Sequence, residues 1–238
     1  PDREPKASLW NCPYHNSRIT FELIRRLKHP AVHTEVMAWS NITGVRLEGE
    51  LIDFESTLRI GRPGGEMEST GREKQRRIRY MRDGSTQTTV TPMHGAVITQ
   101  SVTDVDMSTV NLSWSVEAKE DLKEGVYFCM SFTPEYYKDA VFKVSGRNVS
   151  VKAPERNISL RFDRPVKAFV RDEGQDKVLY VTLMPVLGKD ARAELAAVMK
   201  VDGVRHHEVA EISIDPSRPG REFAGFGGNF RIQNVRKD

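Results

Sequence analysis

With 238 residues, 38% of them hydrophobic and 29% charged, the chain is long enough to bury a substantial core, as one large all-β domain or two small ones. The formal net charge is only +3, and no apolar run approaches the roughly 18 residues of a membrane span. Composition therefore excludes a membrane-spanning helix, and no recognisable nucleic-acid motif is present.

The chain starts Pro1-Asp2-Arg3-Glu4-Pro5-Lys6, which is not a signal peptide. Trp10 follows in a loop-like stretch with Tyr14 nearby. Ser17–Lys28 fits two periods: Ile19, Phe21 and Leu23 alternate, whereas Ile19, Leu23, Ile24 and Leu27 match a helix ended before Pro30. Trp39 comes after the apolar run Val36-Met37-Ala38. Asp53 and Glu55 are expected on one strand face. Arg72, Lys74, Arg76, Arg77, Arg79 and Arg82 form a basic run, read as the solvated face of a strand rather than an anion grip.

From here a period of two dominates. Val110, Leu112, Trp114 and Val116 alternate with polar residues, as do Val126, Phe128, Met130 and Phe132, and then Ile158, Leu160 and Phe162. Such alternation marks strands with one buried and one wet face, and it places Trp114 in the core. Lys177–Met184 is more uniformly apolar and is expected to be covered on both faces. Asp83-Gly84 and Asp202-Gly203 predict tight hairpins, because Asp-Gly tolerates the positive backbone angles these turns need. Asp190–Lys200 has helical features, but the Asp-Gly pair after it favours a strand. Pro216–Gly220 is linker-like. The expectation is an all-β fold: a large antiparallel β-sandwich of a dozen or so strands with little helix.

Chemistry-bearing motifs are sparse. Asp53 with Glu55, and Asp104 with Asp106 in a turn, lack any feature implying a shared proton. His206-His207 points its rings to opposite strand faces, His94 stands alone, and no metal-ligand spacing occurs. Cys12 and Cys129 show no framework, and their pairing is left open. Four Asn-x-Ser/Thr triplets, at Asn41, Asn111, Asn148 and Asn157, carry no weight in a strand-rich chain full of Ser and Thr. No catalytic residue, metal site or cofactor is assigned. Trp10 and Trp39 are the candidate sugar-stacking aromatics, with packing the favoured reading for Trp10 and either reading open for Trp39.

The segment Phe223-Ala224-Gly225-Phe226-Gly227-Gly228-Asn229-Phe230 resembles the opening barrel strand of retaining (β/α)8 glycoside hydrolases, particularly the glucosylceramidase-like family 30 group. The preceding stretch, including Val166–Glu173, resembles the amino-terminal supersandwich attached to such barrels in bacterial polysaccharide-degrading proteins. This resemblance implies an accessory β-sandwich over residues 1–220, and a linker with the start of a carboxy-terminal (β/α)8 catalytic domain over 221–238. It implies that the chain is the front portion of a secreted or periplasmic glycoside hydrolase, silent by itself. Asn229 and Arg231 would lie near the first barrel strand's mouth, within reach of a polysaccharide. The alternatives are a stand-alone carbohydrate-binding or adhesion module, and a sandwich-fold epimerase or lyase in which His94 or His206 meets a carboxylate.

Overall fold

A computed structural model describes residues 33–48, 50–72, 78–186 and 188–204. The boundary expected at residues 220/221, the ambiguous Ser17–Lys28 segment and the Gly-rich resemblance lie outside them. In chain order the strands are β1 (Thr34–Val36), β2 (Ile42–Leu47), β3 (Glu50–Asp53), β4 (Glu55–Gly61), β5 (Met67–Ser69), β6 (Arg79–Asp83), β7 (Thr86–Met93) and β8 (Ala96–Asp104). Then follow β9 (Thr109–Ala118), β10 (Gly125–Phe132), β11 (Val141–Ser145), β12 (Asn148–Lys152), β13 (Arg156–Phe162), β14 (Ala168–Glu173), β15 (Asp176–Met184) and β16 (Arg192–Gly203). A single turn of helix, α1 (Pro134–Tyr137), interrupts them, so the all-β expectation holds among the described residues.

An eight-stranded sheet runs β11-β12-β13-β16-β9-β8-β7-β6, a five-stranded sheet runs β14-β15-β10-β4-β5, and β1-β2-β3 form a small third sheet. Paired strands are antiparallel. Alternation decides which face is buried. Leu112, Trp114 and Val116 of β9, Leu195, Ala197 and Met199 of β16, and Ile158, Leu160 and Phe162 of β13 project inward from the large sheet. They meet Leu58, Phe128, Met130, Leu179 and Val181 of the five-stranded sheet in one continuous core. Trp114 and Phe128 sit at its centre, ring centroids 4.6 Å apart, joining the two layers. In β15, Leu179 and Val181 are buried in the main core and Val178 and Tyr180 on the opposite face with Cys129, Met67 and Tyr127, in line with its uniform apolarity.

One part of the inner surface is polar. Gln87, Thr89 and Thr91 of β7 and Gln100 and Asp104 of β8 point inward, and the segment from His33 to Ile42 closes over them. Buried polar groups are costly unless paired, and here the pairing is close to complete. Gln87 Nε2 donates to the Thr34 carbonyl (2.9 Å) and Gln100 Nε2 to the Ser40 carbonyl (2.7 Å), while Gln100 Oε1 accepts from Trp114 Nε1 (3.0 Å). Asp104 accepts from the His33 and Thr34 amides at 2.8 and 3.2 Å and from the Thr34 hydroxyl. Ser40 sits at φ +82°, a strained angle for a residue with a Cβ, and its hydroxyl is tied to Thr89 at 2.9 Å. Thr91 Oγ1 is the one buried side-chain polar atom without a partner among the described residues.

Two turn expectations meet different fates. Asp83 pairs with Thr86 across Gly84-Ser85, a tight hairpin with Gly84 at φ +56°. Asp202-Gly203 is not a turn. It continues β16, with Asp202 opposite Asn157 and Gly203 opposite Arg156. A Cβ on Gly203 would lie 2.6 Å from Ile52 Cδ1, so this glycine serves a close approach between strands, not a bend. The strand expected over Asp190–Lys200 is present between β13 and β9, and the hairpin partner expected over residues 204–214 lies almost wholly outside the described residues. Asp53 and Glu55 do not share a strand either: Phe54 separates the end of β3 from the start of β4, and the two strands belong to different sheets.

Candidate functional site

The outer face of the eight-stranded sheet follows from the same alternation that fills the core. When Leu195, Ala197 and Met199 go in, Glu194, Ala196, Val198 and Lys200 go out. Register then sets these beside outward residues of the neighbouring strands. Val198 lies between Arg161 of β13 and Asn111 of β9, Lys200 between Ser159 and Thr109, and Ala196 beside Ser113. Ser150 and Asn148 of β12 extend the rows, opposite Ser159 and Arg161.

Two neighbouring depressions mark this face. One, of about 530 Å³, is lined among others by Asn111, Ser113, Arg147, Arg161, Asp163, Ala196 and Val198. Arg147 comes from the tight turn between β11 and β12, where Gly146 has φ +58° and the Arg147 carbonyl accepts from the Phe162 amide at 2.8 Å. The other, of about 370 Å³, is lined by Ser150, Lys152, Asn157, Ser159, Lys200 and Asp202. Together they offer hydroxyl, amide and cationic donors around a floor of small apolar side chains. That combination grips a hydroxyl-rich ligand through directional hydrogen bonds while letting it approach the strands closely.

A second cluster occupies the outer face of the five-stranded sheet. Arg59 Nη1 donates to Glu173 Oε2 and to Tyr180 Oη, both at 2.8 Å, and Tyr180 also donates to Glu173. Phe169 stacks on Tyr180 with centroids 5.0 Å apart and planes 6° from parallel, and Tyr127 meets both edge-on. Burial alone would raise the Glu173 pKa, but the hydrogen bonds from Tyr180 and Arg59 outweigh it and hold the carboxyl below its usual range. Burial, reinforced by the bond to Glu173, pushes the Tyr180 hydroxyl well above its usual value. Cys129 lies beneath as a free, fully buried thiol, raised to about 12 by burial. With Tyr180 only 1% exposed, this cluster acts as a clamp across β4, β15 and β14.

The sequence candidates distribute as follows. Trp39 is half-buried in the turn after β1. Trp10, Asn229, Arg231, Cys12 and His206-His207 lie outside the described residues. Trp114 is core, 2% exposed. Asp53 pairs with Arg156, whose guanidinium lies 3.6 Å from the Tyr136 ring centroid, and Glu55 accepts from Asn41 Nδ2 at 3.0 Å. Asp104 is consumed by the polar seam, and Asp106 caps its own turn through the Ser108 and Thr109 amides. His94 does meet a carboxylate, Glu120 at 3.5 Å, but the side chains are 86% and 56% exposed, a pair that solvent largely screens. Among the described residues no group of three or more His, Cys, Asp or Glu gathers at one point, and no helix is long and apolar enough to cross a membrane. Arg79 and Arg82 of the basic run lie on β6, an edge strand whose charge discourages further pairing.

Sequence reasoning missed both surface clusters. The groove draws on residues from 103 to 202, and its only sequence signal is the wet half of each alternating strand. Arg59, Glu173 and Tyr180 carry no spacing that links them.

The fold and its two outer faces define an antiparallel β-sandwich with a polar, cation-bearing groove. No protein-family model matches the chain, and no curated protein matches it. Solved structures with partial similarity include a heparan sulfate lyase HepC mutant from Pedobacter heparinus, at 10% identity and TM-score 0.40 over 56% of this chain and 22% of that one. A protein described as a kojibiose phosphorylase from the human microbiome gives 11% identity and TM-score 0.37 over 63% of this chain. The chain spans about 22% of the length of either protein. Scores at this level assign neither activity nor ligand to it.

Proposed function

We propose that this chain is a non-catalytic accessory β-sandwich of a polysaccharide-degrading, secreted or periplasmic bacterial protein, which braces an adjoining catalytic domain and holds glycan on the outer face of its large sheet. The observation that carries this reading is the depression of about 530 Å³ over β13, β16 and β9, where hydroxyl, amide and guanidinium groups surround an Ala196–Val198 floor. The resemblance of Phe223–Phe230 to a barrel-opening strand supports the link to a glycoside hydrolase.

The test is a binding and hydrolysis screen of the chain against a polysaccharide panel. Saturable binding without product release supports the reading. Hydrolysis, lyase or epimerase turnover by this chain alone overturns the non-catalytic assignment. Absence of binding across both neutral and charged glycans overturns the glycan-holding role.

A further inference from the structure

Resting on that reading, we infer that the groove takes an anionic polysaccharide, a chain bearing carboxylate or sulfate groups, and that Arg161 and Lys200 are its central contacts. The formal charge of the whole chain is small, but on this face it is unevenly spread. Arg147, Arg161, Lys152 and Lys200 line the two depressions from β12, β13 and β16, and among the described residues none of the four has an ion-pair partner. Two acids share the lining, Asp163 in one depression and Asp202 in the other, where it accepts from the Gly203 amide at 2.9 Å, so the cations outnumber the acids four to two.

Register sets the spacing of the cations. Arg161 faces Val198, and Lys200 is two residues further along β16, so the pair are diagonal neighbours about 7–8 Å apart at their backbones. Lys152 faces Asn157, one strand beyond and towards the Asp202 end, and Arg147 lies past Asn148 at the opposite end of β12. The positive charge therefore runs as an arc from Lys152 through Lys200 and Arg161 to Arg147 rather than sitting at a point, interleaved with Ser150, Ser159 and Asn157 as hydrogen-bond partners. A compact anion would engage one or two of these groups. An extended polyanion whose charges recur along its length engages all four, while its hydroxyls meet the intervening serine and asparagine side chains. Val198, 38% exposed, sits between Arg161 and Asn111 as an apolar contact for a sugar ring. That hydroxyl-matching interleave, with no exposed aromatic ring among the residues lining either depression on which a base would stack, favours a charged glycan over a nucleic acid.

The experiment is calorimetric titration of the full chain with polygalacturonate, dextran sulfate, neutral dextran and single-stranded DNA at low and high salt. The expected result is binding to one or both anionic glycans at least about tenfold tighter than to neutral dextran, weakening as salt shortens the screening length from about 10 Å at 0.1 M to about 3 Å at 1 M. Preference between the two anionic glycans identifies carboxylate or sulfate as the group recognised. The double variant Arg161→Gln/Lys200→Gln should lose about tenfold or more in affinity at an unchanged melting temperature, because both side chains are exposed and unpaired. Val198→Glu, which adds an opposing charge to the floor, should weaken binding in the same direction. Neutral dextran binding equally well and indifferent to these variants would overturn the anionic inference and leave the accessory glycan-binding reading standing. Binding to no glycan would overturn both. DNA binding as tightly as the anionic glycans, and lost in the double variant, would overturn the groove as a glycan site.

Discussion

Gln100→Leu tests the polar seam beneath the His33–Ile42 segment. Gln100 is 1% exposed, accepts from Trp114 Nε1 and donates to the Ser40 carbonyl. Leucine has similar bulk but neither bonding group, so the substitution strands one buried donor and one buried acceptor. Each orphaned group costs about 1–3 kcal/mol, and the added apolar surface returns about 1–2 kcal/mol. The middle of these ranges gives an expected net loss of about 2–3 kcal/mol, a fall of roughly 5–10 °C in melting temperature for a domain of this size. Urea unfolding followed by tryptophan fluorescence and circular dichroism measures it. A double-mutant cycle with Trp114→Phe isolates the indole bond: phenylalanine alone strands Gln100 Oε1, leucine alone strands the indole N–H, and the double variant leaves neither behind. The cycle should return a coupling of about 1 kcal/mol. A loss under about 0.5 kcal/mol for Gln100→Leu, with no coupling, would refute the argument that this segment is held by buried hydrogen bonds.

The remaining predictions concern the clamp and the chain's extent. Because Glu173 is held below its ordinary value of 4.5, its stabilising effect is full above that pH and is lost as pH falls through the folded-state value. Tyr180→Phe removes one of its donors, so the Glu173 carboxyl resonance should titrate at higher pH by carbon NMR, and an unchanged titration would count against the hydrogen-bond assignment. Cys129, raised to about 12 and fully buried, should resist thiolate-selective reagents at pH 8 until the chain is unfolded, with peptide mapping separating it from Cys12. Modification of native Cys129 at the unfolded rate would contradict its burial. Deleting residues 221–238 should leave cooperative unfolding of the sandwich intact, and loss of the transition would make those residues part of it.

Much of the architecture was readable before any coordinates. Period-two alternation in Val110–Val116, Val126–Phe132 and Ile158–Phe162 determines strands and their buried faces, because a side chain's direction along a strand depends only on its parity. The same rule put Trp114 inside, and the lack of alternation in Lys177–Met184 marked β15 as a strand with residues buried on both faces. Local chemistry failed where a residue's reason was remote. Asp202-Gly203 has the composition of a turn, yet Gly203 is small because Ile52 packs against it from another sheet. Gln87, Thr89 and Gln100 alternate like an exposed face, yet they are buried, because His33–Ile42 supplies the Thr34 and Ser40 carbonyls and the Ser40 hydroxyl as partners more than 40 residues away in sequence. The groove is of this second kind. Sequence alone determined that Asn111, Ser159, Arg161 and Lys200 would face outward from their strands. Only the order β12-β13-β16-β9, which inserts the last described strand between two earlier ones, decided that they would share one surface. Strand parity is a property of consecutive residues, whereas strand order is set by which faces bury together, and no local pattern encodes that.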